Sequence, residues 1–260
     1  MTVQQPFDRA ARSRARDRAD ALIEGRAQLL AHVAEELGER KRLLGPCPEG
    51  EALWIGLLGG LPAGHLGLEP SPTLARRHGA LAGDEDQRHF EDARFARVTA
   101  FMTLHGVSDL PGALVLCRRA LKSGGRFQAA FPAGQSLAEV RGAFLEADME
   151  SGRGVAPRVG PTVDPAEAAG LLQRAGFTEP VAEVETLKLR YRSLRDLAVD
   201  VRTHGDSGWL AARARGLTTP ARWAAAEAAF AKGADADGRV TVEVQILYLS
   251  GKVPEPSSAR

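Results

Sequence analysis

The stretch LWIGLLGGLPAGHLGLEPS, residues 53–71, constrains this chain more than any other. It holds two apolar runs, LWIGLLGG and HLGLE, each suited to a buried strand. The first run ends in glycines and the second in an acid, Glu69. Only four residues, LPAG, separate Gly60 from His65. A parallel crossover that includes a helix takes at least ~10–12 residues. No helix fits in that gap. The spacing predicts either that the first strand is lost, or that 53–60 and 65–69 form a local turn with another pairing.

The rest of the chain alternates strand and helix patterns. From Asp8 to about Leu44, Leu22, Ile23, Leu29, Leu30, Val33 and Leu37 recur at helical intervals, and GPCPEGE (45–51) then breaks the pattern. ARVTAFMTL (96–104) reads as a buried strand. Pro111 to Leu121 reads as a helix with proline at its start, KSGG (122–125) as a turn, and RFQAAF (126–131) as a strand. Residues 136–151 are helical, GRGVAPRVGP (152–161) is a loop, and 164–177 is a helix capped by Asp164. VAEVETLKLRYR (181–192) is a strand. Residues 193–203 and much of 208–232 are helical. RVTVEVQILYLSG (239–251) alternates strongly and closes the chain as a strand. This order predicts an α/β fold: a parallel sheet finished by an antiparallel hairpin, with a helical insert at about 193–235. Residues 1–46 form an N-terminal helical segment and 47–260 the sheet-bearing domain.

Composition excludes several classes. The 260 residues are 44% apolar and 26% charged, as in an ordinary globular protein. Lys+Arg (34) and Asp+Glu (33) nearly cancel, so no overall basic field points to nucleic acid. The arginines at 9, 12, 14, 16 and 18 are interleaved with Asp8, Asp17 and Asp20 and lack stacking aromatics, which reads as a solvated helix face. Cys47 and Cys117 fit no metal spacing and no disulfide framework, so a reducing, cytoplasmic setting is expected. No run is long enough to span a bilayer, and the N-terminus has no signal-peptide core. Enrichment in Ala, Arg and Gly is consistent with a GC-rich bacterial genome.

Several blocks, long and in order, resemble a known family. They are FDRAARSRARDRA (7–19), LHGVSDLPGALVLCRRALKSGGRF (104–127), SGRGVAPRVGPTVDPAEAAGLLQRAGF (151–177) and RDLAVDVRTHGDSGWLAARARGLTTPARWAAAEAAF (195–230). They are similar to class I S-adenosylmethionine-dependent methyltransferases. The branch is that of the malonyl-carrier-protein methyltransferases of biotin synthesis and the complex I assembly-factor arginine hydroxylases. The resemblance implies a Rossmann-type sheet, S-adenosyl-L-methionine as cofactor, and a protein or carrier-protein substrate or partner.

It also implies site residues. In the family, strand 1 ends in Asp and a G-x-G-x-G turn. Gly56 and Gly60 fall on the outer glycines, but Leu58 replaces the middle one and Trp54 the Asp. Glu69 falls on the acid that takes the ribose hydroxyls, and Asp84 and Asp86 on the adenine-side loop. Leucine at a close-approach glycine occupies ligand space. These departures, with the missing helix, make the first βαβ unit eroded and favour a core turn over a working pocket.

On the substrate side, His105 follows the fourth strand. It is a candidate general base, and equally a packed strand-edge histidine. Arg153 and Arg158 flank the loop after helix 136–151, where Arg158 would meet an anionic or peptide substrate, or be a solvated arginine. Trp209, with His204 and Asp206, lies in the insert that by resemblance builds the substrate cleft, and Trp209 also suits a packing role. Asp109 and Pro111 read as a helix cap and start. No zinc motif, P-loop or nucleophile elbow is present. Two functions stay open: a methyltransferase-family enzyme with a degenerate cofactor motif, and a pseudoenzyme that binds protein in an assembly role.

Overall fold

A computed structural model describes residues 5–152, 154–214 and 216–255. The elements in chain order are α1 (Arg9–Leu22), α2 (Gln28–Leu43), β1 (Ala52–Ile55), β2 (His65–Glu69), α3 (Pro72–Arg77), β3 (Leu81–Ala82), β4 (Phe95–Phe101), α4 (Leu110–Ala120), β5 (Leu121–Ala133), α5 (Ala138–Ser151), α6 (Pro165–Arg174), β6 (Thr178–Tyr191), α7 (Leu194–Thr203), α8 (Pro220–Ala231) and β7 (Val240–Lys252). A short 3-10 turn, Leu104–Gly106, follows β4.

Seven strands form one sheet in the order β3-β2-β1-β4-β5-β7-β6. β1 to β5 pair in parallel, and β7 runs antiparallel to both β5 and β6. The α/β sheet and its closing hairpin agree with the sequence pattern. Helix starts follow from local chemistry. Ser71, Asp164 and Thr219 cap the helices that Pro72, Pro165 and Pro220 open, and Asp109 caps α4 through the Gly112 N–H at 2.9 Å. A side-chain oxygen satisfies an otherwise unpaired N–H, and proline has none to satisfy.

The structure corrects several expectations. β1 and β2 are both present and pair in parallel, Ala52 opposite His65, with no helix between them. The connection is only the nine residues 56–64. It succeeds because β1 has four residues, so the return path is ~13 Å, well inside the ~30 Å reach of nine extended residues. Gly56, Gly59, Gly60 and Gly64 take positive φ values along it. The N-terminal helical stretch is two helices, broken at Gly25 (φ +70°). The KSGG turn is the opening of β5, and among the described residues 208–214 and 216–219 form no helix before α8 begins at Pro220. α3 was not legible in the sequence. β3 is reduced to two residues.

Two cores flank the sheet. On one face α4 and α6 pack on Val98, Phe127, Phe131, Leu247 and Leu249. On the other, α2 and the end of α1 pack on Leu57, Leu58, Phe101, Ile246 and Tyr248. α5, α7 and α8 close a third cluster around Val240 and Val242. Between β1 and β4 the strand order reverses, and the carboxyl ends there form the crevice where ligands bind in open α/β sheets.

Candidate functional site

At that crevice Glu69, Asp84, Glu85 and Asp86 each pair with an arginine of α1. Asp8 starts the helix by accepting from the Ala11 N–H at 2.9 Å. Arg9, Arg12 and Arg16 then share one face, since residues three, four and seven apart are neighbours on a helix. Arg12 is 4% exposed and Arg16 2%. The expectation of a solvated arginine face is therefore wrong for these positions. The face meets the sheet, and its charges meet carboxylates.

Glu69 ends β2 fully buried. Its Oε1 accepts from Arg16 Nε at 2.6 Å and from the Ser71 N–H at 3.0 Å. Its Oε2 accepts from Arg16 Nη2 at 2.8 Å and from the Leu57 N–H at 2.8 Å. An ionised carboxyl has about four lone-pair sites, and all are used. One turn earlier in α1, Arg12 forks onto Glu85, Nη1 to Oε2 at 2.8 Å and Nη2 to Oε1 at 2.7 Å. Arg12 Nη2 also reaches the Thr103 carbonyl at 2.7 Å, and the Thr103 hydroxyl donates to Glu85. Burial alone would raise the Glu85 carboxyl. The charge and hydrogen bonds of Arg12, with Thr103, outweigh it and hold the group down at about 2. Arg9 bridges Asp84 at 2.7 Å and Asp86 at 2.8 Å. Asp86 is pushed up by its own burial despite Arg9, with Asp84 and Glu85 adding like charge.

The glycine turn is filled from within the chain. A Cβ on Gly56 would sit 2.3 Å from the Phe101 carbonyl oxygen, so this glycine is required by the close approach of β4. Leu57 and Leu58 are 0% and 1% exposed and belong to the α1–α2 core. Trp54 turns its indole N–H onto the Gly56 carbonyl at 2.9 Å and packs on Phe101.

Beyond the acids, a cavity of about 270 Å³ opens between β5, α5, α7 and the 204–210 segment. Apolar side chains dominate its wall, among them Leu137, Val140, Phe144, Leu189, Leu197 and Trp223. His105, Arg158 and Trp209 all line it, as do His204 and Asp206. Gly56, Gly60, Glu69, Asp84 and Asp86 do not. His105 Nε2 donates to Asp206 at 2.7 Å. Burial opposes ionisation of Asp206, but the charge and hydrogen bond of His105, then His204 and Arg16, hold its carboxyl below the usual range. His204 donates from Nδ1 to the Asp200 carbonyl at 2.8 Å. The Arg158 guanidinium lies over the Phe144 ring at 4.8 Å and 3.6 Å from Asp148, a buried carboxylate that Arg222 approaches at 2.5 Å. Trp209 packs edge-on against Phe7 at 4.9 Å and donates to the Gly205 carbonyl at 3.0 Å.

No protein-family model matches the chain. Over 180 residues, 69% of the chain, it is 29% identical to "Arginine-hydroxylase NDUFAF5, mitochondrial" of Danio rerio, covering 56% of that protein. Over 174 residues, 66% of the chain, it is 30% identical to a malonyl-[acyl-carrier protein] O-methyltransferase of Halorhodospira halophila, covering 57% of it. The chain thus spans little more than half the length of these curated relatives. A putative methyltransferase from Bacillus halodurans has the same fold, with a TM-score of 0.53 at 15% identity, over 85% of this chain and 99% of that one. In sequence the chain is similar to curated arginine hydroxylases and methyltransferases, and in fold to a solved methyltransferase.

The likeness implies S-adenosylmethionine as the group to set against the residues at the crevice. They do not fit it. Glu69 has no acceptor site left for a ribose diol, Asp84 and Asp86 are tied to Arg9, and Leu58 fills the position of the middle glycine. Gly60 is open to solvent on its Cβ side and touches none of the acids. Of the residues assigned from the sequence, His105, Arg158 and Trp209 come together at the cavity, while Glu69, Asp84 and Asp86 come together under α1. Arg153 lies outside the described residues. Glu85 and the three arginines escaped the sequence reading. The signal that marks them is the 9, 12, 16 spacing of arginines set against the acidic GDED loop.

Proposed function

We propose that this chain is a methyltransferase-family protein that works without S-adenosylmethionine, by binding a protein or carrier-protein partner at the substrate-side cavity. The observation that carries this reading is Glu69, whose four acceptor sites are all spent inside the chain. The cavity supports the binding half of the proposal, since its wall accepts an apolar side chain or an acyl group. The malonyl-[acyl-carrier protein] named in one group of relatives is a cargo of that kind. In this reading Arg158 and Trp209 touch the partner. His105 holds the 204–210 wall through Asp206 and moves no proton. An assembly role of the complex I type, in a bacterial cytoplasm, belongs to the same proposal. Among the described residues, no helix is long and apolar enough to cross a membrane.

Calorimetric titration of the purified chain with S-adenosylmethionine tests the reading. The expected result is no heat and no thermal shift, since a ligand that binds only the folded state must stabilise it. Binding in the micromolar range or tighter would overturn it.

A further inference from the structure

The helix that neutralises the crevice acids also packs behind one wall of the cavity, against Trp209 and Leu210. Three observations place α1 between the two sites. Its arginine face takes Glu69 at the end of β2 and Asp84, Glu85 and Asp86 on the loop after β3, two separate segments of the crevice. Its other buried face, Ala11 and Ala15, packs with Phe7 on Trp209 and Leu210. The segment just before α1 is stitched to that same wall. The Asp8 N–H donates to the Trp209 carbonyl at 2.8 Å, the Ala211 N–H donates to the Pro6 carbonyl at 2.8 Å, and Arg213 donates to the Asp8 carboxylate at 2.9 Å.

The two contacts meet at Arg16. A Cβ on Gly205 would lie 3.4 Å from Arg16 Cγ and 3.1 Å from Leu58 Cδ1, so the wall rests directly on the residue that forks Glu69. Gly205 has φ +76°, a conformation that a bulkier residue would strain.

We propose that α1 occupies the cofactor crevice in the ligand-free chain: its guanidinium groups stand where a ribosyl-adenine ligand would bind, and through Arg16 and residues 6–8 it fixes the 204–211 wall of the cavity. Crevice and cavity then open as one unit when α1 detaches. This deepens the cofactor-free reading and rests on it. A chain that closes its crevice with its own helix needs no ligand to hold the substrate-side wall in shape.

Hydrogen–deuterium exchange on the full chain tests the coupling, read in wild type and in Arg16→Lys. Lysine keeps the charge but loses the fork to Glu69. Exchange should quicken by roughly tenfold or more at 56–58, 69–71 and 204–211 together, with β5 and β7 unchanged. Faster exchange at the crevice with 204–211 unchanged would overturn the proposal. If Arg16→Lys loosens β5 and β7 as well, Arg9→Ala is the deciding variant. Its guanidinium is a third exposed and reaches only Asp84 and Asp86. Quickening at 84–86 together with 204–211 supports the coupling, and quickening at 84–86 alone overturns it. Wild type with S-adenosylmethionine separates this proposal from the one above. Binding that frees α1 to exchange sinks the cofactor-free reading and leaves the occupancy intact. Binding with α1 still protected sinks the occupancy.

Discussion

The two ends of the sheet differ in what they spend their burial on. At the β3-β2-β1 end the strands are two to five residues long, and the space beyond them is filled by ion pairs. At the β5-β7-β6 end the strands run 13 or 14 residues, and the space beyond them is an apolar cavity. In a class I sheet the first end is the cofactor side. Here that end receives the chain's own helix, α1, through four ion pairs. The cavity end has kept room. On the cofactor-free reading proposed above, a scaffold of this kind loses one binding function and retains another, because the two lie on different strand ends and answer to different residues.

The crevice end should be the less forgiving of the two. Arg16→Met leaves the buried Glu69 carboxyl without its charged partner. Breaking a buried pair on one side costs about 3–5 kcal/mol, and denaturant unfolding should show a loss of that size. Pairing it with Glu69→Gln removes the uncompensated charge and should recover a good part of that loss. A cost under ~1 kcal/mol for Arg16→Met would mean that α1 sits loosely, and the contrast between the two ends would fall. The next effect in size is a pH dependence centred on Glu85. Its folded value, about 2, lies below the ordinary 4.5, so it adds stability that is fully present above about 4.5 and lost as pH falls through about 2. At 1.36 kcal/mol per unit this amounts to about 3 kcal/mol. Over acidification from pH 5 to 2, wild type should lose more stability than Glu85→Gln, by about that amount.

How much of this was legible beforehand depends on range. The helix starts at Pro111 and Asp164 and the strong alternation of 239–251 are local, and the structure keeps them. The missing helix after β1 follows from counting residues, and it is missing. The parallel pairing without it was not foreseen, because the usual crossover length assumes strands of ordinary size and β1 has four residues. The arginine face was misread for a different reason. Spacing alone puts Arg9, Arg12 and Arg16 on one face, but what that face meets lies 53 residues away for Arg16 and 73 for Arg12. Interleaved charges look the same whether they meet water or a carboxylate. Only the fold, by bringing the ends of β2 and β4 beside α1, distinguishes the two.

The cavity end should respond mildly. Ser193 caps α7, one wall of the cavity, by accepting from the Asp196 N–H at 3.0 Å. Ser193→Ala should cost about 1 kcal/mol in thermal unfolding, the ordinary value of a lost cap, with no change in the acid response. Smaller still is Val140→Leu in the cavity wall. An added methylene in a close-packed core forces side chains off their preferred rotamers, whereas here it enters empty space. Stability should shift by less than ~1 kcal/mol, in the stabilising direction if the cavity takes the methylene without strain. Because the cavity is the proposed partner site, the same change should weaken partner capture while leaving exchange at 56–58 and 69–71 untouched. A Val140→Leu variant destabilised as much as Arg16→Met would show that the cavity is as tightly determined as the crevice, and the division between a closed end and an open end would not hold.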